Sequence, residues 1–209
     1  MDGLLLDTER LGLRINCDLM TRHGVAKGLA GRIAIEAIGT TSRHTYARIA
    51  KAAPGLDIEA FDREWCASVD AAMAENVPLR PTVRETLAEL AARDIPMAVV
   101  TTTRTARARH HLDTAGLLHF FRDVIGFGSY TAPKPDPAPY LAGAALLDLA
   151  PGQCAAFEDS DTGVTAARAA GCPTWQVPDL RPPGKPFPDL GQTRAETLAE
   201  AVQASGLLG

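Results

Sequence analysis

Four cysteines in 209 residues, at positions 17, 66, 154 and 172, are too few and too widely spaced for a disulfide framework, and no two form a CxxC pair. Aromatic residues make up 5% of the chain, little for an aromatic-rich β-sandwich; the abundant alanine favours helices packed on a sheet of small residues. No apolar run approaches the roughly 20 residues of a membrane helix, so no membrane partner is expected. Basic residues are not in excess: 21 Lys and Arg face 25 Asp and Glu, and no nucleic acid is expected as a partner. The opening Met1-Asp2-Gly3 lacks the basic start of a secretory signal. The five histidines, at 23, 44, 110, 111 and 119, show no metal-binding spacing. These absences point to a cytoplasmic globular protein; its oligomeric state, monomer or homodimer, stays open. At roughly 150 residues per domain, its length suits one large domain or two unequal ones.

What is present alternates. Residues 83–93, 105–115, 137–149 and 161–170 carry helical spacing or helix-stop signals, with Gly116 and Gly171 ending two of them. Short apolar runs at 97–100, 124–127, 154–157 and 174–177 lie beside them and read as buried strands. Strands alternating with helices of this length predict an α/β fold with a parallel sheet, whose site lies beyond the C-terminal strand ends. Residues 10–80 differ: stretches near 10–22, 31–38, 43–53 and 57–75 read as helices without a strand, an insert returning near Pro78-Leu79-Arg80-Pro81.

Polar residues follow the predicted strands. Val100 runs into Thr101-Thr102-Thr103, Phe157 into Glu158-Asp159-Ser160, and Lys134 lies in the proline-rich loop after Phe127. Asp2 and Asp7 stand at the start. A hydroxyl, an ammonium and several carboxylates on one edge suit phosphate chemistry with magnesium, since hard carboxylate oxygens bind a hard divalent ion. Fixed donors offset the charge that develops on a transferring phosphoryl group. The threonines could equally cap the next helix.

In order along the chain, these residues resemble the haloacid dehalogenase-like hydrolases, in the branch of β-phosphoglucomutase, phosphoglycolate phosphatase and sugar-phosphate phosphatases. Asp2-Gly3-Leu4-Leu5-Leu6-Asp7-Thr8-Glu9 resembles the end of that family's first motif, and Val99-Val100-Thr101-Thr102-Thr103 its second. Lys134-Pro135-Asp136-Pro137 resembles the third, and Phe157-Glu158-Asp159-Ser160-Asp161-Thr162-Gly163 the fourth. The resemblance implies a Rossmann-like core of residues 1–9 plus 81–209 with an inserted helical cap at 10–80. It implies a Mg2+-dependent phosphatase acting on a small phosphorylated metabolite through an aspartyl-phosphate. Asp2 would be the general acid/base and lend its main-chain oxygen to magnesium. Glu158 and Asp159 would be the metal carboxylates, Thr101 and Lys134 would act on the phosphoryl group, and Thr102, Arg43 and Thr8 would bind substrate or phosphate. Arg43 belongs to Gly39-Thr40-Thr41-Ser42-Arg43, which resembles the family's specificity stretch.

Two departures stand out. The family's nucleophile is an aspartate two places before the position of Asp2, which falls ahead of Met1. The expectation is a native chain with about 5–15 more residues, apolar and ending in Asp, and a chain as written that binds phosphate weakly, turns over poorly and loses stability for want of a central strand. Upstream codons test this. Secondly, phosphomutases of this branch resemble one another in a histidine where Gly12 stands here. That favours a phosphatase over the alternatives, a β-phosphoglucomutase-like enzyme or a catalytically inactive binding protein. A dehalogenase would not need the Glu158-Asp159 pair.

Overall fold

The computed structural model describes residues 1–38, 42–182 and 184–209, leaving aside the side chain of Ser42. Gly39, Thr40 and Thr41 of the expected specificity stretch lie outside the described residues. The chain divides into two compact units: Met1–Asp7 with Leu79–Asp179 and Pro186–Gly209, and Thr8–Pro78 with Leu180–Lys185.

The second unit is helical. It comprises α1 (Thr8–Arg22), α2 (Lys27–Ala37), α3 (Ser42–Ala52) and α4 (Ile58–Glu75). Leu19, Met20, Ile33, Ile49 and Phe61 form its core, each removed from water at a gain of about 1.5–3 kcal/mol. The Asp57 side chain caps α4 by accepting the Ala60 N–H at 3.0 Å. α2 begins four residues before the sequence-based boundary, because Gly28 and Gly31 dilute the helical signal of its first turns. The Trp65 indole of α4 donates to the carbonyl of Gly12 on α1 at 3.1 Å.

The first unit is α/β. α5 (Val83–Ala92) buries Val83, Thr86, Leu87 and Leu90, one helical stripe. Then follow β1 (Val99–Arg104), α6 (Thr105–Thr114), β2 (Val124–Phe127), α7 (Ala138–Leu146), β3 (Ala156–Glu158), α8 (Asp161–Ala169), β4 (Thr174–Gln176), β5 (Thr193–Arg194) and α9 (Leu198–Ser205). The five strands pair in parallel, in two pieces: β1 with β2, and β3-β4-β5. Gly126 lets β2 approach β1 closely, since a Cβ there would lie 2.6 Å from the Thr103 carbonyl oxygen. A cavity of about 300 Å³, with Leu5, Leu87, Val100, Ala156, Phe157 and Val202 among its lining, lies within this unit.

β1 runs on to Arg104, past the predicted end at Val100. The threonines therefore belong to the strand, and the residue preceding α6 is Arg104, without a side-chain cap. β5 and α9 were not anticipated. Thr197-x-x-Glu200 was the available signal for α9: the Thr197 hydroxyl accepts the Glu200 N–H at 3.2 Å. Among the described residues no helix is long and apolar enough to cross a membrane.

Candidate active site

The site is built where β1 and β3 end and the first residues of the chain turn back. Gly3, at φ +77°, donates its N–H to the Leu6 carbonyl at 2.9 Å. This turn brings Asp2 to β1, where the Thr103 hydroxyl donates to Asp2 Oδ2 at 2.9 Å. Thr101 is buried, and its hydroxyl accepts the Thr103 N–H at 3.2 Å. Thr102 lies exposed between them. The hydroxyl on Asp2 is thus that of Thr103, read from the sequence as a helix cap or a residue behind the site.

Lys134 sits in the loop between β2 and α7, next to the cis Lys134–Pro135 bond. Its Nζ donates to the Val100 carbonyl at 3.2 Å and forms an ion pair with the Glu158 carboxylate. Both side chains are buried, at 7% and 6% exposure. The same carboxylate accepts the Tyr140 hydroxyl, and the Ser160 hydroxyl at 3.3 Å. A Cβ on Gly163 would fall 2.0 Å from Glu158 Oε2, so the first turn of α8 leaves room for this carboxylate only because position 163 is glycine. Ser160 also caps α8, accepting the Gly163 N–H at 3.0 Å.

Electrostatics separates the two acids. Burial by itself would raise the pKa of Glu158; the Lys134 ammonium, the Met1 amino group and the hydrogen bonds from Lys134 and Tyr140 together outweigh it and hold the carboxyl below its ordinary value. Asp159 is pushed up to about 6, chiefly by burial, with the charge of Glu158 acting the same way against the Met1 amino group. Burial, then the neighbouring Glu158 charge, also lifts the Tyr140 phenol well above its usual range.

Asp159 is held from below. Gln176 at the end of β4 is fully buried and donates to Asp161 Oδ1 at 3.0 Å and to the Asp159 carbonyl at 3.4 Å. Gln192 in turn donates to Gln176 Oε1 at 2.9 Å. Gln176 was missed in the sequence, although a glutamine in an otherwise apolar short strand was visible there. Asp159 Oδ2 lies 2.6 Å from the place a Cβ on Gly3 would occupy, beside Asp2.

The structure therefore gathers Asp2, Thr101, Thr103, Lys134, Glu158 and Asp159 in one unit. Among the described residues no three His, Cys, Asp or Glu side chains form a group that could hold a metal ion; the expected set has two carboxylates, Glu158 and Asp159, and the main-chain oxygen of Asp2. Glu158 is engaged by Lys134, Tyr140 and Ser160. Thr8, at the start of α1, and the exposed Arg43, on α3, belong to the helical unit.

A parallel α/β unit with acids, threonines and a lysine at its strand ends defines a hydrolase of the phosphoryl-transfer kind. The model of the haloacid dehalogenase-like hydrolases matches residues 1–177, and the chain belongs to that family. It is 33% identical over 171 residues to fructose-1-phosphate phosphatase YqaB of Escherichia coli K12, covering 82% of this chain and 89% of that one. It is 31% identical over 183 residues to hexitol phosphatase A of the same organism, covering 82% and 77%. Among solved structures, a HAD family hydrolase from Deinococcus radiodurans R1, with bound phosphate and sodium, superimposes with a TM-score of 0.77 at 27% identity, covering 100% of this chain and 94% of that one.

Proposed function

We propose that this chain is a magnesium-dependent phosphatase of small phosphorylated metabolites, with sugar or sugar-alcohol phosphates the first candidates. The relatives that act on such esters support the substrate class. The observation that carries the reading is the meeting of Asp2 with Thr103 at the end of β1, beside Lys134 and Asp159.

In this reading Asp2 is the general acid/base, its carboxylate aimed by the Thr103 hydroxyl. Thr101 and the N–H groups beside it, Thr102 included, receive the phosphoryl oxygens. Lys134 offsets their charge, and Glu158 fixes Lys134 in place. For magnesium, the fit is carried by Asp159, a half-buried carboxylate beside Asp2 whose charge burial disfavours. Asp159 and the main-chain oxygen of Asp2 would hold the ion, and Glu158 would stand behind them rather than as a direct ligand. When bound, magnesium would neutralise charge on the phosphoryl oxygens. The nucleophile of the covalent aspartyl-phosphate would be an aspartate two positions ahead of Asp2. The helical unit, sequence-based range 10–80, is proposed as the cap on the core of 1–9 plus 81–209, with Arg43 and Thr8 as its substrate contacts. The enzyme would work in the cytoplasm as a monomer or homodimer.

Gly12 supports hydrolysis over mutase chemistry. The Trp65 indole donates to its carbonyl, and a Cβ at position 12 would stand in ordinary van der Waals contact with the ring, 3.6 Å away. Phosphate release is measured from sugar phosphates, phosphoglycolate and nucleoside monophosphates, using the chain headed by an apolar strand ending in Asp two places before Asp2. Release that requires magnesium and is lost in Asp159→Asn supports the reading. Release that needs no metal, or that survives Asp159→Asn, overturns it.

A further inference from the structure

Two residues of the α/β unit lie at the places where the chain passes between units. Asp179 is the last residue before one crossing, and Arg80 is the second after another. They meet as an ion pair, Nη1 to Oδ1 at 3.3 Å, with side chains 13% and 4% exposed. Arg80 Nη2 donates to the Pro178 carbonyl at 3.4 Å, and the Arg80 main-chain N–H donates to the Leu5 carbonyl at 2.9 Å. Leu79 bridges Leu6 in antiparallel fashion. On its other side, Asp179 Oδ2 lies 3.1 Å from the position of a Cβ on Gly3, the same spot that Asp159 Oδ2 approaches to 2.6 Å. One buried pair thus ties the segment after β4 to the segment before α5, and both close on the turn that presents Asp2.

A buried ion pair is a poor device for stability. Its desolvation cost offsets its attraction, and apolar residues of similar size commonly serve as well or better. What the charges add here is geometry: the Arg80 guanidinium reaches a carboxylate and a carbonyl on consecutive residues, which fixes where Asp179 stands against Gly3. Movement of Gly3 by a fraction of an ångström moves Asp2 relative to Thr103 and Asp159. The sequence offers no motif at either position.

We propose that Arg80 and Asp179 are positioning residues of the phosphoryl site: their ion pair holds the Gly3 turn, and through it Asp2, against Asp159. The inference rests on the phosphatase reading. Its test needs no turnover. Inorganic phosphate is titrated calorimetrically in the presence of magnesium into the unaltered chain, the double variant Arg80→Met/Asp179→Leu, and Arg80→Lys. The double variant removes both charges together, so no buried ion is left alone, and its unfolding midpoint is expected to stay close to that of the unaltered chain. Its phosphate affinity is expected to fall at least tenfold, while Arg80→Lys, which keeps the charge but not the second contact of the guanidinium, loses less. A purely structural pair would move midpoint and affinity together. Unchanged affinity in a folded double variant overturns the proposal. Should that variant fail to fold, Arg80→Gln is compared with Arg80→Lys, and equal affinities overturn it too. Absence of saturable binding by the unaltered chain overturns the phosphatase reading, and this inference with it; binding that is indifferent to the pair overturns this inference alone.

Discussion

Gly163 shows how one residue can decide whether the site exists. Its missing side chain is the space that the Glu158 carboxylate occupies. Gly163→Ala forces either Glu158 or the first turn of α8 to move, and overpacking of this kind costs about 1–3 kcal/mol. The expected result is a lower unfolding midpoint in thermal denaturation. The cysteines give a second test. Cys172 is buried, and burial, with Cys154 beside it, pushes its thiol up to about 11 from an ordinary value of 9.0. A thiol kept protonated in the folded state adds stability below pH 9 that is lost as pH rises from 9 toward 11. The thiolate is the reactive form, so native labelling with iodoacetamide at pH 8 is expected to modify the exposed Cys66 first and Cys172 only on unfolding. Equal native rates for the two would contradict the placement of Cys172.

At the scale of elements, the loop from β3 into α8 joins stability to site geometry. The Ser160 hydroxyl both caps α8 and donates to Glu158, so Ser160→Ala removes two contacts at once. The cap alone is worth about 1 kcal/mol. Amide exchange is expected to quicken at Gly163 and Val164, and unchanged exchange there would mean that the cap contributes nothing. The helices α1 to α8 and four of the strands were legible because each buries a stripe or run whose period or length is plain, as in Val83, Leu87 and Leu90 of α5. The two-residue β5 was not legible, because it has too few residues to show a pattern. The threonines misled in part. The apolar run ends at Val100, which ended β1 too soon, whereas pairing with β2 carries the strand to Arg104. Long-range partners were hidden for a similar reason: Thr103 meets Asp2 across 101 positions, and Lys134 meets Glu158 across 24. Sequence motifs named most members of those pairs but not the pairings, and Gln176 and Asp179 carry no motif at all.

For the molecule as a whole, two units divide the residues singled out in the sequence: the acids, threonines and lysine in the α/β unit, Thr8 and Arg43 in the helical one. The charge of −4 is spread over the chain, while the positive charge of the site is local, at a lysine buried against its own carboxylate. Among the described residues β1 and β3 each pair with one neighbour, and both contribute to the wall of the cavity of about 300 Å³. The claim that matters most is that the strand ends of β1 and β3 form a phosphoryl-binding site. It is tested most directly by titrating the isotopically labelled chain with inorganic phosphate in the presence of magnesium and following the backbone amide resonances. Saturable shifts are predicted at Gly3, Thr101, Thr102, Thr103 and Asp159. Shifts centred elsewhere, or none that saturate, would contradict it.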